Sequence, residues 1–159
     1  LTGHLVFSTL HTNDATSTIT RLQNMGTPDY LISAACSLIL AQRLARRTCP
    51  DCKIPDEDVN EQVLKDLGCK DVEISSAKAM KGKGCENCKD TGYKGRMGIY
   101  EVLKITKPIK EAILKKATTP EIKAIAIKEG FITMQDMGRK MIIDGQLNFR
   151  EYERILTAG

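Results

Sequence analysis

The 159-residue sequence has no Trp, three Phe and four Tyr. With so few planar side chains, a surface on which successive nucleic-acid bases stack is poorly supported. No run of about 20 apolar residues occurs, so no segment is suited to cross a bilayer as a helix. No secretory signal pattern is visible, nor any internal repeat or low-complexity stretch. The net charge of +4 is only a mild excess. An initiator Met is also missing: the chain opens Leu1-Thr2-Gly3-His4-Leu5-Val6-Phe7, directly on what reads as a buried strand. A fragment of a longer protein is therefore expected. Apolar residues make up 42%, enough for a core, and the length suits one domain or a domain with a small module.

The chain does hold six cysteines. Four form two Cys-x-x-Cys knuckles, Cys49-Pro50-Asp51-Cys52 and Cys85-Glu86-Asn87-Cys88, with 32 residues between the inner members. Zinc takes four thiolates in a tetrahedron, and two knuckles supply them. A disulfide within each pair, or redox use of the pair, is the rival reading, although a bridge across two residues is strained. The long loop is no obstacle, because doubling a flexible loop costs only about 0.6 kcal/mol. Cys36 and Cys69 lie in apolar or helical surroundings. Free thiols beside thiolate knuckles fit a reducing, cytoplasmic compartment.

Around the knuckles the pattern is α/β. Leu5-Val6-Phe7 does not alternate, which suits a strand buried on both faces. A polar loop, Ser8 to Asp14, follows it. A helix is expected from about Ala15 to Met25, stopped by Gly26. A second, capped by Thr27 with Pro28 and Asp29 in its first turn, is expected from Tyr30 to about Leu40, apolar nearly all round and buried. Residues 42–48 suit either its continuation or a strand, with Arg43, Arg46 and Arg47 on a basic edge. From Cys49 to Gly95 apolar residues thin out. One helix is expected within Asp58–Leu67, and the rest reads as an irregular module whose deficit a metal would make up. A strand at Gly95–Leu103 precedes helices opened by Pro108, by Thr119-Pro120-Glu121, by Thr133 with Asp136, and by Asn148 with Glu151. Met134, Met137 and Met141 form a core stripe. The expected segments are 1–48, the tetracysteine module 49–95, and a strand with a helical tail, 96–159.

His4 and His11 bracket the first apolar run. His11 sits in Ser8-Thr9-Leu10-His11-Thr12-Asn13-Asp14, where an α/β sheet usually meets its ligand. Such side chains can sense a phosphate or stabilise charge. No Gly-x-x-x-x-Gly-Lys-Ser/Thr cradle and no acidic metal-binding strand accompany them, so they cannot hold ATP and magnesium alone.

Thr2 to Ala15 resembles the histidine box of the type II/type IV secretion ATPase superfamily, hexameric RecA-like motors. The likeness continues through Ala41-Gln42-Arg43-Leu44-Ala45-Arg46-Arg47, the four cysteines, and Gly92-Tyr93-Lys94-Gly95-Arg96-Met97-Gly98-Ile99-Tyr100-Glu101-Val102. In order and spacing these resemble the C-terminal part of type IV pilus assembly (extension) ATPases, with type II secretion ATPases as the near alternative. The resemblance implies the C-terminal part of a RecA-like P-loop ATPase domain, with an inserted zinc-binding module and an α-helical tail. It implies structural zinc on Cys49, Cys52, Cys85 and Cys88, and catalytic-site roles for His4 and His11, with His11 nearer the terminal phosphate. ATP and magnesium would serve the full-length parent. Its Walker motifs are absent here, so this segment alone is expected to be inactive. The implied partners are identical subunits in a hexamer and an inner-membrane platform protein, with peripheral location at that membrane and no nucleic acid.

Two other classes compete. Cys85 to Gly95 faintly resembles one knuckle of a co-chaperone zinc domain, and Arg43, Arg46, Arg47, Lys53, Lys78, Lys81 and Lys83 would serve a nucleic-acid zinc module, though acidic neighbours balance them. A thiol oxidoreductase would need one exposed, low-pKa cysteine and no metal.

Overall fold

The computed structural model describes residues 3–157 and has a mixed α/β architecture. Two compact units emerge, each assembled from two stretches of chain. One comprises the chain up to Gln42 with Tyr100–Thr133; the other comprises Arg43–Ile99 with the chain from Met134 onward. Strand β1 (Leu38–Thr48) pairs with β4 (Tyr93–Lys104), and both contribute residues to each unit.

In the first unit, α1 (Ala15–Asn24) begins where Asp14, in extended conformation, accepts hydrogen bonds from the Ser17 N–H at 2.7 Å and the Thr16 hydroxyl at 2.8 Å. This is ordinary N-capping of donors that have no partner within the helix. Gly26, at φ +84°, turns the chain after the helix. Helix α2 (Asp29–Ala35) follows Pro28, α5 (Lys107–Leu114) carries Pro108 in its first turn, and α6 (Thr119–Lys128) starts with a Thr118–Glu121 capping box. Helix α2 packs on α5, α5 on α6 and α6 on α1. Their inner faces bury Ile19, Ile32, Ile109, Ile113, Ile122 and Ala126 beside Leu103 of β4 and the following Ile105. Burial of each large aliphatic side chain contributes about 1.5–3 kcal/mol.

The second unit holds the short antiparallel pair β2 (Lys53–Pro55) and β3 (Met80–Gly82), in register Lys53–Gly82, Ile54–Lys81 and Pro55–Met80. It also contains α3 (Glu61–Asp66), α4 (Asp71–Ser76), α7 (Met134–Ile143) and α8 (Phe149–Tyr152), the last running into a π-helical turn, Glu153–Thr157. Leu64, Cys69 and Ile143 form a buried cluster with Val59, Leu67, Ile74 and Ala77 against it. Met134 and Met141 are buried and Met137 is half-buried, as a core stripe requires.

Three expectations are corrected. Leu5, Val6 and Phe7 are not a buried strand: they are 79%, 78% and 89% exposed, in a stretch without regular structure. A doubly buried strand needs a neighbouring strand and a cover on each face, and no other strand of the described residues pairs with this one. The second helix does not reach Leu40. It ends at Ala35, and Leu38-Ile39-Leu40 belongs to β1, with Leu38 and Leu40 exposed. An all-apolar run carries neither period, so pairing with β4 decides its conformation. The 49–95 stretch is not largely irregular, because α4, β2 and β3 lie within it. Elements of three to six residues are too short to register a period.

Candidate metal centre and the histidine segment

Each knuckle hangs from a single 3-10 turn, Pro50–Cys52 and Glu86–Cys88. The turn folds back because Lys89 and Asp90 take left-handed backbone conformations, φ +52° and +58°, which let the Asp90 N–H donate to the Cys85 carbonyl at 2.9 Å. The two knuckles are held face to face by backbone bonds, from the Cys49 N–H to the Gly92 carbonyl at 2.9 Å and from the Lys83 N–H to the Cys52 carbonyl at 3.0 Å. Gly82 and Gly92 touch backbone to backbone; a Cβ on Gly82 would stand 2.1 Å from the Gly92 oxygen.

The four sulfurs converge, all within 4.8 Å of one another. Cys49 Sγ lies 3.9 Å from Cys85 Sγ, Cys52 Sγ lies 3.9 Å from Cys88 Sγ, and Cys85 and Cys88 are 3.6 Å apart. A tetrahedral zinc with four sulfurs at 2.3 Å has an edge of about 3.8 Å. A disulfide would need about 2 Å. Three N–H groups point at sulfur: Gly84 at Cys52 at 3.3 Å, Cys85 at Cys88 at 3.2 Å, and Gly92 at Cys88 at 3.3 Å. Burial pushes the Cys88 thiol up, but the Cys85 and Gly92 N–H groups and its thiol neighbours outweigh that and bring it to about 6. Burial and neighbouring thiols push Cys52 to about 12, against the Gly84 N–H. Four thiols this close cannot all ionise unaided, whereas a divalent cation would let them. The donor set therefore fits a metal such as zinc. Asp51 ties the knuckles from outside, accepting from the Asn87 amide at 3.3 Å and pairing with Lys94 at 3.4 Å.

In the same unit, Glu151 is fully buried. It accepts from the Arg46 N–H, Nε and Nη2 at 2.8, 2.9 and 2.7 Å, and from Arg154 Nε and Nη2. The Arg46 guanidinium also stacks 4.1 Å from the Tyr93 ring centre. Two members of the supposed basic edge are thus occupied internally: Arg46 in this way, and Arg43 by donating to the Ile155 carbonyl.

His4 and His11 belong to the other unit. Both are exposed, on residues 4–12, which form neither helix nor strand. The end of that segment is fastened to α1: the Thr12 and Thr18 hydroxyls are 2.8 Å apart, and Asp14 caps the helix. Buried Glu101 accepts the first amide of α1, from Ala15, at 2.5 Å. The long-range roles of Glu101 and Asp51 were not read from the sequence. Glu151, expected to open the last helix with Asn148, instead spends its carboxylate on Arg46 and Arg154, while Asn148 alone caps, accepting from the Arg150 N–H. A signal existed for Glu101 alone: it shares the buried face of β4 with Ile99 and Leu103, two residues to either side.

The family model for type II/IV secretion system proteins matches residues 1–154. The type IV pilus assembly ATPase PilB of Myxococcus xanthus is 46% identical over 95% of this chain and 27% of its own length. The PilB of Thermus thermophilus is 44% identical over 95% of this chain and 17% of its own. The type II secretion system protein E of Aeromonas hydrophila is 37% identical over 98% and 30%. The chain thus spans less than a third of each of these relatives. A family match running through both histidines and all four cysteines makes this chain a member of the type II/IV secretion system proteins.

Proposed function

We propose that this chain is the C-terminal part of a motor ATPase that drives type IV pilus assembly. The observation that carries the reading is similarity along nearly the whole chain to proteins named as pilus assembly ATPases, at 46% and 44% identity against 37% for the secretion protein. That last likeness keeps type II secretion as the second reading. In the parent, a RecA-like domain completed upstream would bind ATP and magnesium and work as a hexamer at the cytoplasmic face of the inner membrane. Closure of one subunit on the next would pass rotation to a platform protein and lift pilins into the fibre. Alone, the chain would hydrolyse nothing.

Within this scheme residues 1–48 belong to the ATPase core, 49–95 to a zinc module and 96–159 to a strand with a helical tail. His11, with His4, would respond to the terminal phosphate of the nucleotide. Cys49, Cys52, Cys85 and Cys88 would hold zinc, whose charge stabilises four thiolates and cross-links the module. The converging thiols support that assignment.

The test uses the full-length parent. Deleting it should remove surface pili and leave protein secretion intact; the reverse result would move the assignment to secretion. In the same background Cys85→Ser should abolish about one zinc per chain, measured by elemental analysis, and impair piliation. Unchanged zinc, fold and piliation would rule out the structural metal site.

A further inference from the structure

We propose that Glu101 is a positioning residue for the His11 segment, a role that rests on the reading of His11 given above. The β4 register places Glu101 on the strand's inner face, between Ile99 and Leu103, at 3% exposure. Its carboxylate reaches an element boundary, accepting from the Ala15 N–H, first amide of α1, 86 positions away in sequence. A buried carboxylate is retained at such cost only with good partners.

Helix α1 is therefore gripped twice at its start. Asp14 takes the Ser17 amide and the Thr16 hydroxyl from the chain's own side; Glu101 takes the Ala15 amide from the strand. Burial pushes the Asp14 carboxyl up, yet the Ser17 and Thr16 bonds prevail and hold it below the usual carboxylate range. Three residues upstream of Asp14 stands His11, and between them Thr12 is tacked to Thr18. Whatever fixes the first turn of α1 fixes the direction in which His11 leaves it. The same geometry fills the positive end of α1 with the protein's own carboxylates. A phosphate near this loop would then be met by side chains of the segment and not by the helix terminus. Glu101 acts through Ala15 and the loop.

Two conservative substitutions separate reach from charge. Glu101→Gln keeps an oxygen at the same distance, while Glu101→Asp keeps the charge and withdraws the acceptor by one methylene. In the full-length parent, Glu101→Asp should lower kcat for ATP hydrolysis about 10-fold with KM little changed, since small misplacements near a reacting group have effects of that order. It should also speed amide hydrogen exchange at residues 15–18. Glu101→Gln should stay within about twofold of the parent in both readouts. Adding His11→Ala to Glu101→Asp should lower kcat no further than His11→Ala alone, because residues acting as one unit are not additive. Multiplying effects, unchanged exchange in Glu101→Asp, or equal damage from Gln and Asp would overturn the proposal. If His11→Ala alone leaves kcat intact, the histidine reading itself fails. The exchange data would then show separately whether Glu101 holds α1.

Discussion

Replacing Glu151 by Gln removes one charge from a fully buried site while preserving its shape. In the folded protein burial alone would raise the carboxyl, but hydrogen bonds from Arg154 and Arg46 outweigh it and hold it at about 2, against an ordinary value of 4.5. Each unit of difference is worth 1.36 kcal/mol, so the ionised carboxylate contributes about 3 kcal/mol at neutral pH. The two arginines are about half exposed, so their charges regain water when the carboxylate goes; the expected loss therefore stays near that figure and below that of a wholly buried pair. A carboxyl depressed in the folded state stabilises above its unfolded pKa and ceases to do so as pH falls through the folded one. The destabilisation by Glu151→Gln, measured by urea unfolding, should be about 3 kcal/mol at pH 7 and shrink between about pH 4.5 and pH 2. Taking the difference between variant and parent at each pH cancels the acid sensitivity of the thiol cluster, which both share. A penalty under about 1 kcal/mol at pH 7, or one independent of pH, would mean that the network behaves like an exposed ion pair and would refute the reasoning.

Further perturbations bear on the same unit. Gly82→Ala drives a Cβ against the Gly92 carbonyl, and backbone cannot yield as a side chain does. It should speed zinc release to a chelator while leaving the amide exchange of α1 and α6 unaltered; unchanged release would show that the contact is not needed. Asn148→Ala removes the side chain that accepts from the Arg150 N–H at 3.0 Å and from the Tyr93 hydroxyl at 3.1 Å. Because Asn148 is buried, a loss of about 1–3 kcal/mol is expected in denaturant unfolding.

What the sequence revealed depended on how locally each feature is encoded. Helix starts were legible where the signal is a local residue, as with Pro108 in the first turn of α5 and Pro120 with Glu121 in that of α6, although the capping side chain there is Thr118 and not Thr119. The cysteines were legible because a knuckle is a two-residue spacing, and the structure closes the 32-residue gap between the pairs. Strand β1 was not, since Leu38 to Ala41 is apolar on every face and only its pairing with β4 rules out helix. Leu5-Val6-Phe7 misled for the opposite reason: its composition suits a buried strand, but burial requires neighbours that composition does not supply. The carboxylate contacts were hidden because each joins residues far apart, 86 positions for Ala15–Glu101 and 105 for Arg46–Glu151. Charge on the inward phase of a strand was the one available clue, and it served for Glu101 alone.

The pairing of β1 with β4 also has a bearing on the order in which the chain can fold. Residues 49–92 separate the two strands, so bringing them together closes a loop of 44 residues. Chain entropy opposes that step by about 3 kcal/mol on the logarithmic scaling of loop closure. Cys49 and Cys52 stand at one end of this loop, and Cys85 and Cys88 near the other. A cation gripped by all four leaves only residues 89–92 between the last ligand and β4, and the same scaling lowers the closure penalty by about 2 kcal/mol. The knuckles then act in time as well as in space: once they hold metal, the strands meet as near neighbours in the chain, and the ladder can zip outward from the Cys49–Gly92 bond.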